Sequence, residues 1–197
     1  QRYLAIIAGN TGVTNALVQS YLCTDGKPIG VTPLYQGDYG LSNTVKNRDP
    51  RLKQIIFVPG DPITIDFAGG GDTLSTFQTA AVNIGGDSRD VTGYQIKKGV
   101  YPDKTLQQGD FLSTTAPIIF RLGEILLNYA EAKVELGELT QSDLDKSINL
   151  LRDRAGMPHL LLNSITNDPN WDFPNLSPII NEIRRERRVE LACEGFR

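Results

Sequence analysis

The residue types best suited to chemistry crowd into the last sixteen positions, EIRRERRVELACEGFR, where five arginines are woven through four glutamates. Arginines at that density suit phosphate, and paired carboxylates suit acid–base work. Spacing separates these uses. Glu182, Glu186, Glu190 and Glu194 recur every four residues and form one stripe along a helix, which a phosphate-binding helix would not carry. On a wheel of about 100° per residue, Glu186, Arg187, Glu190 and Glu194 fall on the same side as Ile179 and Ile183. Charges on an apolar face are tolerated only when paired and hydrogen-bonded. The expectation is an interior helix tied to its neighbours by ion pairs, with Arg121, Glu124, Arg187 and Glu190 as structural charge pairs.

Other reactive groups offer little catalysis. The single histidine, His159, follows a proline in a loop, so any Ser-His-Asp or Cys-His arrangement would rest on it alone; an exposed loop histidine is the plainer reading. Asp66 with Asp72, or Asp168 with Asp172, could be a glycosidase pair by count, but any chain with 23 acids supplies such pairs. In DPNWD, Asp168, Asn170 and Asp172 alternate like the start of a calcium loop, without the glycine or terminal glutamate that loop needs. AGGGDTLS has no lysine for a phosphate loop and reads as a flexible surface loop. Cys23 and Cys193 have no zinc spacing. In NRDPRL, Arg48, Asp49 and Arg51 surround a proline; they could clamp a hydroxyl or carboxylate, or fix a turn before the apolar run QIIFV. No catalytic residue, metal site or cofactor is assigned.

Twenty basic and 23 acidic side chains give a formal net charge of -3, which with the glutamate stripe excludes nucleic acid as the expected partner. The opening QRYLAIIAG is too short for a membrane span and is broken by Gly9. The start at Gln1 and the stop at Arg197, just past a helical pattern, lead to the expectation of a fragment whose targeting signal lies elsewhere.

Two textures meet near Thr115, giving an expected division into residues 1–115 and 116–197. The first part is rich in glycine and turn residues, with short apolar runs (YLAII, QIIFV, ITIDF, YQIKK) that read as strands or extended loops and one helix near Val13 to Leu22, begun by Thr11 or Thr14. The second is helical. A helix opened by Pro117 carries Leu122, Ile125, Leu126, Tyr129, Ala132 and Leu136 on one face, opposite a narrow polar stripe of Arg121, Glu124, Asn128, Glu131 and Glu135. It is expected to be covered on more than one side. A second helix repeats Leu144, Ile148, Leu151 and Ala155, with Thr140 and Asp143 as capping box, Gly156 as stop and Pro158 barring resumption. A third is capped by Ser177 with Pro178 in its first turn.

Taken in order, PIIFRLGEILLNYAEAKVELGEL, INLLRDRAGMP and EIRRERRVELACEGFR resemble the C-terminal region of the SusD/RagB-like nutrient-binding outer-membrane lipoproteins, with supporting matches in NALVQSYLCTDGKPI and NRDPRL. Leu122 and Gly123 stand where that family usually has a tyrosine and a small residue, and Cys193 where an aromatic is common. The resemblance implies a mainly α fold, with tetratricopeptide-like helical hairpins carrying an irregular loop and short-strand region that binds ligand. It implies a non-catalytic protein, lipid-anchored on the cell-surface side of the outer membrane, that captures oligosaccharide or another nutrient and presents it to a SusC-like TonB-dependent transporter. A sugar site needs aromatic faces to stack on pyranose rings. Tyr35 and Tyr39 in PLYQGDYG and Trp171 in DPNWDFPN are the candidates, ahead of Tyr94 and Tyr101; each could instead anchor a loop. A tetratricopeptide-like protein-binding scaffold and a glycoside hydrolase are the alternative readings. The first would call for a repeat of about 34 residues, and one hairpin is visible.

Overall fold

A computed structural model describes residues 11–82, 85–86, 89–107 and 118–195. Their elements are, in order, α1 (Asn15–Ser20), α2 (Leu41–Thr44), α3 (Leu52–Ile55), β1 (Pro62–Asp66), β2 (Asp72–Thr76), α4 (Leu122–Glu135), α5 (Gln141–Asp145), α6 (Ile148–Ala155) and α7 (Pro178–Glu190). The fold is mainly α with one small sheet. Contacts divide the chain into two compact units that interleave in sequence: Gln1–Val18, Tyr39–Ser42 and Lys53–Pro117 form one, and Gln19–Asp38, Asn43–Leu52 and Ile118–Arg197 the other. Residues 19–38 and 43–52, ahead of the expected boundary near 115, thus belong with the helices.

The first unit is held by few regular elements. Its sheet is the antiparallel pair β1 and β2, with Asp66 opposite Asp72 and irregular register between Pro62 and Ile65. The segment AGGGDTLS, expected as a loop, supplies the turn and β2: Gly70 and Gly71 take φ of 113° and 88°, values open to glycine, and bring Asp72–Thr76 back along β1. QIIFV does not form a strand. Its first residues complete α3, and Ile56 makes only an isolated bridge with Ile96 of YQIKK. Beneath lie Phe57 and Phe77, stacked with ring centroids 5.3 Å apart, with Ala80, Leu41, Ile63 and Val100 around them. The run YLAII lies outside the described residues.

Helices build the second unit. Thr140 accepts from the Asp143 amide and Asp143 from the Thr140 amide, so the expected capping box opens α5. α5 and α6 are separate helices, interrupted at Lys146–Ser147, and Gly156 ends α6 in the left-handed conformation with φ 69°. Ser177 occupies the N-cap of α7, but its side chain makes no capping bond; Asn181 instead donates to the Ser177, Leu176 and Phe173 carbonyls. Leu127 and Ala130 of α4 join Leu144, Ile148, Leu151, Leu160, Ile183 and Leu191 in one core.

α4 differs from its sequence reading in which face it buries. Gly123, Leu127 and Ala130 point inward. Leu122, Ile125, Tyr129 and Leu136, assigned to the buried face, are exposed, at 70%, 55%, 40% and 70%. The helix has two apolar faces, and periodicity alone ranks the one with larger side chains first. Close approach of α7 selects the other, because Gly123 has no room to spare: a Cβ there would lie 3.3 Å from Glu190 Oε1 and 2.4 Å from Arg121 Nη1.

The capping box yields a first prediction. The Asp143 carboxyl is held down at about 2 by hydrogen bonds from Thr140 and Tyr129. A lowered folded-state pKa adds stability above the unfolded value of 3.8, lost as pH falls toward 2. Thr140→Ala should cost about 1 kcal/mol at neutral pH, and Asp143→Asn should lose the part of the acid dependence that wild type shows in this window. Thermal melts from pH 6 down to about 2 would check both, the range following from the linkage.

Candidate functional site

The glutamate stripe is buried and paired. Glu182, Glu186 and Glu190 of α7 are no more than 5% exposed. Glu186 Oε1 accepts from Arg51 Nη1 at 2.5 Å and its Oε2 from Arg152 Nε at 2.9 Å. Arg51 also grips Asp49, Nη2 to Oδ2 at 2.7 Å, and reaches Glu190 Oε2 at 3.0 Å. Arg152 continues to Glu182 Oε2 at 3.2 Å, Glu182 Oε1 pairs with Arg185 at 3.1 Å, and Arg185 Nη2 donates to Asp168 Oδ2 at 2.5 Å. A ladder of alternating charge thus runs from the turn at Asp49 to the loop at Asp168. A branch at Glu190 takes Arg154 at 2.6 Å and Arg121 at 2.6 Å, and Arg121 Nε reaches Glu194 at 2.6 Å.

Burial and partners set the proton affinities along this ladder. Burial would raise Glu186, but the guanidiniums of Arg152 and Arg51 outweigh it and hold the carboxyl below its ordinary 4.5. Burial lowers Arg51, and Glu186 and Asp49 more than restore it, so its pKa rises. Glu182 goes the other way, raised because burial exceeds the pull of Arg185 and Arg152. The Tyr21 hydroxyl, donating to the Val189 carbonyl at 3.3 Å, is raised by burial as well.

Each charged residue singled out in the sequence can now be placed. Arg121 and Glu190 pair with each other. Arg187 faces the polar stripe of α4, with Nη1 2.6 Å from Asn128 Oδ1 and 3.5 Å from Glu131 Oε2. Glu124 forms no ion pair among the described residues, and its Oε2 is buried without a hydrogen-bond partner; the Arg121 guanidinium one turn away is taken by Glu190 and Glu194. Arg51 and Asp49 pair within a buried turn and offer no open clamp. Three of the four carboxylates weighed for acid–base or calcium chemistry meet cations: Asp66 meets Lys104, Asp168 meets Arg185 and Asp172 meets Arg188. His159 is half exposed, 2.7 Å from Asp153. Among the described residues no group of three His, Cys, Asp or Glu side chains is placed to hold a metal.

Two of the three candidate aromatics sit on arginines. The Arg185 guanidinium lies 4.8 Å from the Trp171 ring centroid, and Arg48 lies 5.4 Å from that of Tyr35. Trp171 is further fixed by Nε1 donating to Asn167 Oδ1 at 3.1 Å, and Arg48 by donating to the Tyr21 carbonyl at 2.8 Å. Their loops touch: a Cβ on Gly30 would stand 3.1 Å from Pro169 Cγ and 3.5 Å from Asn170 Nδ2. Tyr39, four residues after Tyr35, is 93% exposed. Sequence reasoning left Arg152, Arg154 and Arg185 unassigned. The signal for Arg152 was there, since it follows Ile148 by one helical turn and so belongs to the apolar face of α6.

The SusD family model matches residues 7–197. The chain belongs to the SusD family. Among solved structures it is similar to a SusD-like carbohydrate binding protein from Bacteroides fragilis NCTC 9343, with 27% identity and a TM-score of 0.63 over 92% of this chain and 33% of that one. It is similar also to the protein designated BT4246, solved in its selenomethionine form, with 26% identity and a TM-score of 0.64 over 93% of this chain and 33% of that one. The chain therefore spans about a third of the length of these SusD-family structures. No curated protein matches it.

Glu186 and Arg187 give a graded prediction. Arg51→Ala and Glu186→Gln each strand a buried partner and should cost about 3–5 kcal/mol, whereas Arg187→Ala, which leaves only the partly exposed Asn128 and Glu131 of α4 without it, should cost less, about 1 kcal/mol. Glu186 adds stability above pH 4.5 that is lost as pH falls through its lowered folded value. Glu182 has the opposite sign, its contribution being present below its unfolded value and lost as pH rises through the folded one. Urea unfolding of the three variants beside wild type, at neutral and acid pH, would check the order; equal losses for Glu186→Gln and Arg187→Ala would contradict it.

Proposed function

We propose that this chain is part of a non-catalytic nutrient-binding protein that captures an oligosaccharide by stacking and hydrogen bonding and releases it chemically unchanged. The observation that carries this reading is membership of the SusD family together with likeness to a SusD-like carbohydrate binding protein along nearly the whole chain. The geometry supports it through the loops. Trp171 and Tyr35 are large flat rings held by core-anchored arginines, which limits the ordering cost of binding. Tyr39 offers an exposed ring in the same loop as Tyr35. Amides such as Asn170 and carboxylates such as Asp38 flank these rings in sequence and would recognise hydroxyls.

In this reading the longer protein is lipid-anchored at the cell-surface side of the outer membrane and hands its ligand to a SusC-like TonB-dependent transporter. No helix among the described residues is long and apolar enough to cross a membrane. The helical unit serves as the rigid frame, and the loops do the capture.

The test is a glycan array followed by titration calorimetry on the hits, with the triple variant Tyr35→Ala, Tyr39→Ala, Trp171→Ala beside wild type. A defined oligosaccharide should bind and be recovered intact, and the triple variant should lose at least about tenfold in affinity, the equivalent of about 1.4 kcal/mol. Unchanged affinity in a folded triple variant would remove these three residues from the site. Hydrolysed sugar after incubation would overturn the non-catalytic reading.

A further inference from the structure

The first compact unit carries a pair of aromatic rings that the ligand loops proposed above do not use. Phe67 opens the turn of the β1–β2 hairpin, and Tyr101 leads into a segment that runs beside β1. The Ile65 amide donates to the Pro102 carbonyl at 2.7 Å, and the Lys104 amide to the Ile65 carbonyl at 3.0 Å. The two rings are thereby brought together, with centroids 6.2 Å apart and planes 21° from parallel. The other stacked pair of this unit, Phe57 and Phe77, is buried. Phe67 and Tyr101 are left 50% and 51% exposed.

The backbone that carries both rings is tied down. Buried Gln107 donates from Nε2 to the Ile63 carbonyl at 2.6 Å and to the Tyr101 carbonyl at 3.1 Å, and accepts from Thr64 Oγ1 at 3.0 Å. Asp66 fixes the turn, accepting from the Gly69 amide at 2.9 Å and from Lys104 Nζ at 2.5 Å. Rings ordered in advance lose little entropy when a flat ligand settles on them.

The surroundings decide which ligand fits. A protein interface needs a broad apolar core, but the sequence neighbours here are small or polar: Asp66 and the glycines 69–71 beside Phe67, Asp103 and Lys104 beside Tyr101. Asp72, the cross-strand partner of Asp66, is exposed, and its carboxylate meets no cation among the described residues. That disfavours an anionic ligand. The Tyr101 hydroxyl makes no hydrogen bond among the described residues. A Cβ on Gly70 or Gly71 would meet nothing within 4 Å, so the turn leaves the approach open. Aromatic faces for a pyranose ring, with a phenol and a carboxylate at hand for its hydroxyls, are the groups an uncharged sugar requires.

We propose that Phe67 and Tyr101 form a second saccharide platform, built within the first compact unit and independent of Tyr35 and Trp171, that takes the face of an uncharged pyranose. It rests on the saccharide-binding reading above and adds a site to it.

Hydroxyl-radical footprinting of the natural gene product, read by mass spectrometry, tests this side chain by side chain. The probes are maltohexaose, cellohexaose and xylohexaose, with any oligosaccharide recovered from the glycan array. Phe67 and Tyr101 should be oxidised in the free protein, and a saturating saccharide should lower the oxidation of both by at least about twofold, since a bound ligand shares most of its surface with its site. The protection should persist in the Tyr35→Ala, Trp171→Ala double variant. Phe67→Ala should leave the protection of Trp171 intact and weaken binding at Tyr101 by at least about twofold, the lower end of what one aromatic contact contributes. Tyr101→Phe keeps the stacking face and should keep the protection of Phe67. Protection of Trp171 or Tyr35 with none at Phe67 and Tyr101 overturns the platform and spares the first site. Protection of none of these rings overturns both readings. Rings that are unreactive in the free protein, or protection that vanishes in the double variant, overturn the platform as well.

Discussion

The helical unit depends on the carboxylate of Glu186. Both of its oxygens are taken by guanidiniums that reach it from different parts of the chain, Arg51 from the turn before α3 and Arg152 from α6. A buried carboxylate without such partners would cost several kcal/mol or take up a proton. Its presence therefore requires that the turn, α6 and α7 be placed together. The segments 19–38 and 43–52 accordingly cluster with helices far downstream in the sequence. Apolar packing alone is less demanding about which side chain meets which.

The same ladder connects the frame to the loops. Glu182 shares Arg152 with Glu186 and passes on to Arg185, which pairs with Asp168 and lies against Trp171. Phe173 rests on Arg184, and Asp172 on Arg188. Among the described residues the arginines that pin the 168–173 loop in this way come from α7, so the loop is tied to the position of that helix. Rings used for stacking on a ligand benefit from being fixed beforehand, because little entropy is then lost on binding.

Much of this was legible in the sequence, through particular residues. The four-residue recurrence of the glutamates and their place beside Ile179 and Ile183 announced a helix with buried charge. The capping box at Thr140 and Asp143 and the stop at Gly156 are local signals, and local signals are read reliably. What the sequence left open was which cations would be met, since Arg51 and Glu186 are separated by 135 residues. AGGGDTLS was read as a loop because its glycines dominate composition, although glycines at positive φ are what a hairpin turn requires. For α4 the periodicity was clear and the buried face was not. Two apolar faces on one helix cannot be ranked without knowing that Gly123 lets α7 come close. Tyr35 and Trp171 were visible as loop aromatics, but the arginines beneath them come from elsewhere in the chain.

A regular stripe of glutamates raises a question of register, because sliding α7 by four residues replaces one glutamate with the next. In one direction the slip puts Pro178 where Glu182 meets Arg152, and leaves a buried guanidinium short of its partner. In the other, the buried sites of Glu182, Glu186 and Glu190 are refilled, but Arg187 takes the place of Ile183, which is 1% exposed, and Cys193 takes that of Val189. The first alternative is excluded by charge and the second by burying an arginine in an apolar slot. Periodic charges thus provide the ties and aperiodic apolar residues choose among the registers they allow. Neither set would specify the position of α7 alone, and with that position go the 168–173 loop and the ring it carries.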